Sequence, residues 1–241
     1  MIDTHAHLDA LDDVADALER ARAAGVERVV AIGSGLASAQ ATRAIATHAD
    51  GVYLVAGVHP HQAADGEDPR QVVTPDVVAI GEIGLDFFRD YAPRDAQRRV
   101  FAAQLDLASE LGKPVVVHSR AADEETAEQL AGFRGNVILH CFSSPGLLPV
   151  ALERGYYVSF AGNVTYPKAG ELRTAAAAVP AERLLAETDC PYLAPEPVRG
   201  RRNEPAYVIH TVAALAQTRG VEVDALGAEI EANAAAAFQL P

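Results

Sequence analysis

Eight short apolar runs rich in β-branched residues recur along this chain, separated by stretches with helical spacing. They predict strands at Met1–His7, Val26–Ile32, Tyr53–Val58, Val77–Ile83, Pro114–Val117, Asn136–Leu139, Tyr157–Phe160 and Leu184–Glu187. Continuous apolar strands that alternate with helices are typical of a parallel sheet buried on both faces. Eight such units in 241 residues favour a closed (β/α)8 barrel of the TIM type, an α/β fold that usually takes about 250 residues.

The stretches between the strands are rich in alanine, leucine, arginine and glutamate. They predict helices that include Asp13–Ala24, Arg94–Leu111, Ala121–Ala131, Leu147–Arg154, Ala206–Arg219 and Val223–Phe238. No linker or low-complexity tract interrupts them, so we expect a single domain over residues 1–241. An open doubly wound sheet is the alternative, but it usually carries a longer glycine-rich phosphate turn than Gly33-Ser34-Gly35.

Charge and cysteine content restrict the class of protein. The net charge of −13 excludes a broad basic surface for nucleic-acid backbone, so any capture of nucleic acid must be local. Two cysteines do not make a disulfide scaffold, which favours a reducing compartment. We see neither a leader pattern nor an apolar run of about 18 residues. We therefore expect a cytoplasmic protein with no membrane contact and no obligate protein partner.

Histidines and carboxylates fall at the carboxyl ends of five predicted strands, and these ends meet at one mouth of a barrel. The predicted metal ligands at that mouth are His5, His7, Glu82, His118, His140 and Asp189. His5 and His7 share one face because side chains of a strand alternate. Imidazoles together with carboxylates suit zinc, manganese or, less readily, magnesium. The sequence therefore predicts a site for two divalent ions that share a carboxylate.

Several short motifs in fixed order make the chain resemble a known family. They are Asp3–Asp9, Gly57–His61, Gly81–Asp86, Pro114–Arg120, His140–Ser143, Glu187–Leu193 and Arg202–Pro205. In these segments the chain is similar to the TatD-type metal-dependent deoxyribonucleases, a branch of the amidohydrolase-like barrels, and the likeness runs along the whole chain. The resemblance implies hydrolysis of phosphodiester bonds with divalent metal ions. We expect a 3′–5′ exonuclease that takes a single-stranded DNA end as its substrate, and the residues leave endonuclease action, the opposite polarity and RNA as open alternatives.

The resemblance also implies how the ligands divide between the two ions. His5, His7, Glu82 and Asp189 would hold one ion, and Glu82 would bridge to a second ion held by His118 and His140. A water between the ions would become the nucleophile as a bridging hydroxide, because divalent cations lower the pKa of water. Asp189 is then the expected proton acceptor, which makes Asp189 and Glu82 the expected catalytic residues.

Five further residues are expected to contact the substrate: His61, Tyr166, Arg201, Arg202 and Asn203. Arginine suits phosphate because its guanidinium binds two oxygens at once, and a tyrosine ring can stack on a base. His59, beside His61, has the same expected role. An alternative is a hydrolase of a small phosphoester, amide or lactone. Phosphate specificity weakens if Arg201 and Arg202 face away from the mouth.

A binding or scaffold protein with a vestigial site is a further alternative, but such a chain would have lost one of the six ligands. Each cysteine follows a predicted ligand: Cys141 follows His140, and Cys190 follows Asp189. Strand alternation predicts that both thiols face away from the ligands and pack as small apolar side chains between barrel and helices.

Overall fold

A computed structural model describes residues Met1–Pro241 and confirms the α/β barrel. Its eight parallel strands pair in chain order. They are β1 Ile2–Ala6, β2 Arg28–Ser34, β3 Val52–Gly57, β4 Ala79–Asp86, β5 Val115–Arg120, β6 Val137–Leu139, β7 Tyr157–Phe160 and β8 Leu184–Ala186. Each lies within a few residues of its predicted position.

Backbone hydrogen bonds beside the predicted ligands bring the first and last strands together. The amide of His7 donates to the carbonyl of Cys190 at 2.9 Å, and the amide of Asp189 donates to the carbonyl of His5 at 3.0 Å. The buried carboxylate of Asp3 accepts the amide of Thr188 at 2.9 Å and its hydroxyl at 2.5 Å. The sheet thus curls into a nearly closed barrel, and the seam holds the ends of β1 and β8 side by side.

Nine α-helices surround the strands. They are α1 Val14–Ala23, α2 Leu36–His48, α3 Pro69–Val72, α4 Arg94–Leu111, α5 Asp123–Gln129, α6 Leu148–Arg154, α7 Gly170–Ala178, α8 Val208–Arg219 and α9 Val223–Phe238. The sequence analysis did not single out α2, α3 and α7. None of the helices has the length and apolar character needed to cross a membrane.

Two buried glutamines of α4 fix the strand ends that carry the site. The side chain of Gln97 accepts the amide of Asp86 at 2.8 Å and donates to its carbonyl at 3.2 Å. The side chain of Gln104 makes the same pair of bonds to Val58, at 2.7 and 3.0 Å. Because buried backbone groups are costly to leave unpaired, these bonds hold the ends of β3 and β4 in place.

Close contact between β4 and β5 depends on Gly84. A Cβ at this position would lie 2.0 Å from the carbonyl oxygen of His118, and the residue has a φ of +133°, which L side chains rarely adopt. We therefore expect Gly84→Ala to lower the free energy of unfolding by more than about 4 kcal/mol, at the extreme of single substitutions. Denaturant unfolding measures this loss, with Gly132→Ala as the control, since a Cβ there meets nothing within 4 Å. Equal midpoints for the two variants would contradict it.

Candidate metal centre

A single buried carboxylate, that of Glu82 on β4, is the centre of the site. Five imidazole rings surround it: those of His5, His7, His59, His118 and His140. Its Oε1 lies 2.7 Å from Nε2 of His140 and 2.8 Å from Nδ1 of His118. Its Oε2 lies 3.5 Å from Nε2 of His5 and 3.6 Å from Nε2 of His7. Each carboxylate oxygen thus faces its own group of imidazole nitrogens.

The second carboxylate of the site, Asp189, follows β8 and lies on the side of the histidine pair from β1. Its Oδ1 is 3.5 Å from Nε2 of His7 and 3.8 Å from Nε2 of His5. The structure therefore brings together all six side chains that the sequence predicts as ligands. They lie on β1, β4, β5, β6 and β8 or within three residues of the ends of these strands, as expected for the carboxyl ends of barrel strands.

The ligand atoms form three overlapping groups, each within 4.8 Å: His5–His7–Glu82, His5–His140–Asp189 and His59–Glu82–His118. Two features differ from the division that the resemblance implies. His140 groups with His5 and Asp189 as well as lying against Glu82, and His59 joins Glu82 and His118. Nε2 of His59 lies 3.3 Å from Oε1 of Glu82, which places His59 among the candidate ligands.

Electrostatics at the centre favour bound positive charge. Burial raises the pKa of Glu82, but the imidazoles, first that of His140, outweigh it and hold this pKa well below its ordinary value. Burial likewise opposes charge on His140, yet Glu82 and Glu187 raise its pKa well above the usual range. Burial lowers the pKa of His59 to about 4, so this imidazole is neutral at neutral pH and can act as a ligand.

The donor set fits divalent ions. No lysine or arginine lies within 4.0 Å of the carboxylates of Glu82 and Asp189, and only imidazoles do. Burial raises the pKa of Asp189, but hydrogen bonding to His7 and the charge of His140 lower it below its ordinary value. The negative charge of two ionised carboxylates among imidazoles is balanced either by protons on the imidazoles or by metal ions. Zinc and manganese accept this combination of oxygen and nitrogen donors.

Two more buried carboxylates orient the candidate ligands. Oε1 of Glu187 lies 3.1 Å from Nδ1 of His140 and accepts the amide of Cys141 at 2.8 Å. Oδ2 of Asp86 lies 3.3 Å from Nε2 of His118 and 2.8 Å from Nε2 of His61. Ligating histidines usually pair their second nitrogen in this way, which fixes the ring. The sequence analysis gave Glu187 no role, although it directly follows β8, in the same segment as Asp189.

Removing the charge of Glu187 tests this arrangement. We expect Glu187→Gln, which keeps an accepting oxygen, to weaken metal binding about tenfold, since partners of ligating histidines typically contribute 10- to 100-fold. Competition with a chromogenic chelator measures the change. The matched control is Glu128→Gln, because Glu128 is exposed and makes no ion pair. Equal metal affinity in both variants would show that Glu187 does not position His140.

The site opens into a cavity of about 910 Å³, which we call the mouth cavity. Its wall includes His7, Glu82, His118, His140, Asp189, His61, Arg89, Tyr91, Arg120, Cys141 and Tyr192. This volume lies toward the upper end of the range typical of small-molecule sites, about 300 to 1,000 Å³. Of the five substrate contacts expected from the sequence, only His61 lines it.

The other four expected contacts have different partners. Arg202 donates to Asp12 at 2.7 Å, and Arg201 is exposed outside the wall of the mouth cavity. Asn203 is fully buried and donates to the carbonyls of Thr188 and Tyr192, at 2.8 and 2.5 Å.

Tyr166, the fourth of these residues, donates its hydroxyl to the carbonyl of Ala194 at 3.1 Å, and the guanidinium of Arg199 lies 3.8 Å from its ring centroid. The structure thus brings none of these four side chains to the metal centre, and Asn203 supports the loop that carries Tyr192.

Two arginines that the sequence analysis did not assign to the substrate line the mouth cavity instead. The guanidinium of Arg120 lies 4.2 Å from the ring centroid of Phe88, and that of Arg89 lies 5.9 Å from the same ring. Neither guanidinium forms an ion pair in the structure. Arg120 is two residues beyond His118 on β5, so strand alternation places the two on one face and could have identified it.

Of the two cysteines, only Cys190 lies where the sequence predicts. Cys190 is buried in an apolar cluster with Ala6, Leu8 and Leu18. The prediction for Cys141 is wrong, because this residue lines the mouth cavity. The reason is local: β6 ends at Leu139, and Cys141 has a φ of +44°, so the alternation of a strand no longer applies there.

Comparison with known proteins gives one family along the chain. The family described as TatD related DNase matches residues 2–239. A Mycobacterium tuberculosis protein named "uncharacterized metal-dependent hydrolase TatD" is 40% identical over 236 residues, 90% of this chain and 89% of that protein. A Klebsiella pneumoniae protein named "3'-5' ssDNA/RNA exonuclease TatD" is 39% identical over 241 residues, 92% of this chain and 90% of that protein.

A solved structure supports the same fold. The crystal structure of YjjV, a TatD homologue from Escherichia coli K12, superposes with a TM-score of 0.88 at 29% identity. The match covers 100% of this chain and 98% of that one. A Bacillus subtilis protein named "uncharacterized metal-dependent hydrolase YabD" is 35% identical over 100% of this chain and 99% of its own length. The likeness thus extends from end to end.

Proposed function

The chain belongs to the TatD related DNase family and is a metal-dependent hydrolase, and from this premise we propose that it cleaves phosphodiester bonds of single-stranded DNA from the 3′ end. The observation that carries the proposal is the buried Glu82 carboxylate, surrounded by five imidazoles at the floor of a cavity that also presents two unpaired guanidinium groups. The Klebsiella relative is named for the same reaction. Cleavage of RNA as well is compatible with this chemistry.

Seven side chains would hold the metal ions: His5, His7, His59, Glu82, His118, His140 and Asp189. With an oxygen toward each group of imidazoles, Glu82 can bridge two ions. When bound, divalent ions lower the pKa of water and neutralise charge on phosphate oxygens. Glu187 and Asp86 hold the rings of His140 and His118 in their orientations.

Asp189 is the proposed proton acceptor. Glu82 is only 3% exposed and is enclosed by imidazoles, whereas the carboxylate of Asp189 is 13% exposed and lines the mouth cavity. Its lowered pKa keeps it ionised, so it can take a proton from the water that attacks phosphorus and return it to the leaving oxygen. The guanidinium groups of Arg89 and Arg120 would bind the nonbridging phosphate oxygens, on which negative charge increases.

The local charge makes capture of a strand end compatible with an acidic protein. Two divalent ions would contribute four positive charges and Arg89 and Arg120 two more, against five carboxylates at or beside the cavity, those of Asp9, Glu82, Asp86, Glu187 and Asp189. Charges on the distant surface are screened over about 8 Å at physiological salt. We therefore propose that binding is confined to the mouth cavity and that a long duplex is a poor substrate.

Hydrolysis of end-labelled strands tests the proposal. The metal-stripped protein is given Mn²⁺, Mg²⁺ or Zn²⁺ and a DNA strand labelled at its 5′ end, and an identical strand is labelled at its 3′ end. We expect a ladder that shortens one nucleotide at a time from the 5′-labelled strand, and immediate release of labelled mononucleotide from the other. Internal cuts, or release from the 5′ end first, would contradict the proposed polarity.

A second candidate is hydrolysis of a small phosphoester, amide or lactone. One observation favours it. The side chains of Arg201 and Arg202 do not line the mouth cavity, so these two arginines do not contribute to phosphate binding there. The same assay separates the two candidates when a small phosphodiester is included. Turnover of the small substrate without cleavage of any strand would support the second candidate.

A further inference from the structure

Exposed aromatic rings occur only at the mouth of this barrel. The chain has seven tyrosines, seven phenylalanines and no tryptophan. Only three of these rings are exposed: Phe88 at 63%, Tyr91 at 64% and Tyr192 at 59%. Tyr91 and Tyr192 both line the mouth cavity, and Phe88 lies beneath the guanidinium of Arg120. Large apolar rings are normally buried, so three exposed rings around one cavity indicate a binding surface.

The two cavity tyrosines stand on opposite sides of the metal centre. Tyr91 follows β4 and Tyr192 follows β8, and these two strands are diametrically opposed in a ring of eight. Tyr91 meets the ring of His61 edge-on, with 4.7 Å between centroids. Tyr192 meets the ring of His7 in the same manner, with 6.1 Å between centroids. The candidate ligands therefore lie between the two tyrosines.

Backbone hydrogen bonds fix the segments that carry these rings. The carboxylate of Asp86 accepts the amides of Phe88 and Arg89, at 3.0 and 2.9 Å, which holds the start of the loop that leads to Tyr91. The amide of Tyr192 donates to the carbonyl of Asp189 at 2.9 Å, and its own carbonyl accepts the side chain of Asn203.

The tyrosine hydroxyls have no hydrogen-bond partner in the protein, in contrast to that of Tyr166, which donates to a carbonyl. Both rings are therefore exposed at the mouth cavity and neither hydroxyl is held by a partner in the protein.

Resting on the proposed nuclease function, we propose that Tyr91 and Tyr192 are stacking platforms for the two nucleobases on either side of the scissile phosphate. A stacked base can take any identity because every base has a π-face, so two such platforms would position a single strand without sequence preference. Arg120, supported on the ring of Phe88, lies on the Tyr91 side, where a phosphate between the two bases would meet it. The strand then crosses the metal centre from β4 to β8.

The inference is tested by removing each tyrosine ring from the protein and each facing base from the strand, singly and together. The strands are an eight-nucleotide dT oligomer, and the same oligomer with an abasic residue at its last or at its next-to-last position. The proteins are wild type, Tyr91→Ala, Tyr192→Ala, the ring-retaining Tyr91→Phe and Tyr192→Phe, and Leu111→Ala. Leu111 is exposed at the end of α4, at the opposite end of the barrel from the mouth.

We expect each alanine variant to lose about tenfold or more in kcat/KM on the intact strand, since one base stacked on an aromatic ring contributes about that much. On the strand that lacks the base facing the deleted ring, the alanine variant and the wild type should have the same kcat/KM. Each ring should couple to a different one of the two positions. Leu111→Ala should retain wild-type values on all three strands. In the phenylalanine variants, which keep the rings, removal of either base should cost the same factor in kcat/KM as it does in the wild type.

Photo-crosslinking gives a readout that does not depend on turnover. Strands with 4-thiothymidine at the last or the next-to-last position are irradiated with metal-loaded Asp189→Asn protein, whose slow turnover leaves the strand intact, and the attached peptide is sequenced. We expect one position to crosslink at Tyr91 and the other at Tyr192. Equal loss on intact and abasic strands, together with crosslinks elsewhere, would overturn the platforms and leave the nuclease standing. If only a small phosphodiester is turned over, and no strand is bound or cut, both the stacking platforms and the proposed nuclease function are overturned.

Discussion

Replacing Glu82 with alanine is expected to lower kcat by at least about a thousandfold and to leave the protein without its full complement of metal. Oε1 of this carboxylate lies within 3.3 Å of three imidazole nitrogens, and its Oε2 faces two more. The other carboxylate of the centre, that of Asp189, lies within 4.0 Å of only His5 and His7 among these imidazoles, through its Oδ1. Charge stabilisation by metal ions contributes several kcal/mol to such reactions, and each 1.36 kcal/mol is a factor of ten in rate.

The measurement is twofold, because loss of activity alone does not identify the cause. Metal content after dialysis is determined by mass spectrometry, and kcat is measured on the labelled strand. Far-UV circular dichroism checks that the barrel remains folded, and Glu128→Gln is the control for handling and purity. A folded Glu82→Ala protein that keeps its metal and its turnover would show that the centre does not depend on this carboxylate.

The second large effect is expected for Asp189→Asn. This change keeps the size of the side chain and one accepting oxygen but removes the group that takes the proton. General base catalysis contributes about 10²- to 10⁴-fold, so we expect kcat to fall by about a thousandfold. The amide can still lie against His7 and His5, so metal content should fall less than in the Glu82 variant.

Comparison of the two variants separates holding the metal from accepting the proton. Asp65→Asn is the matched control, since Asp65 is exposed and its side chain makes no hydrogen bond. Saturating metal should not restore kcat to Asp189→Asn if the carboxylate is the base. Recovery of wild-type turnover at high metal concentration would instead assign Asp189 a role as a ligand only.

The strands of the barrel were predictable because each is a short apolar run, but their ends were less so. β4 was expected to end at Ile83 and instead continues to Asp86. A glycine within such a run usually indicates a break or a bulge. Here Gly84 lets the backbone approach the carbonyl of His118, so the strand continues past it. That close approach depends on the neighbouring strand, which the local sequence does not reveal.

The metal centre was more predictable than the substrate contacts, and the reason is geometric. Ligands such as His5 and His118 lie on strands, where alternation fixes the direction of a side chain. His59 lies two residues beyond the end of β3, in an extended conformation, and reaches the same centre, although it was assigned only to substrate. Arg202 lies in an irregular loop, where no period relates sequence to direction, and its guanidinium turns toward Asp12 instead of the site.

The site's surroundings depended on contacts between segments far apart in the chain. Asn203 has the residue type of a phosphate contact but is buried beneath the loop that carries Tyr192. Glu187 reaches His140, 47 residues earlier in the chain, and thereby orients a candidate ligand. Pairings of this range follow from the closed order of the strands, so they become visible only when the barrel is assembled.

Anomalous diffraction from crystals grown with Mn²⁺ tests the central claim most directly. The account predicts two peaks in the anomalous difference map, both within coordination distance of the Glu82 carboxylate, one toward His5 and His7 and the other toward His59 and His118. A map with no peak at Glu82, or with manganese bound only elsewhere on the protein, would contradict the metal centre and with it the proposed function.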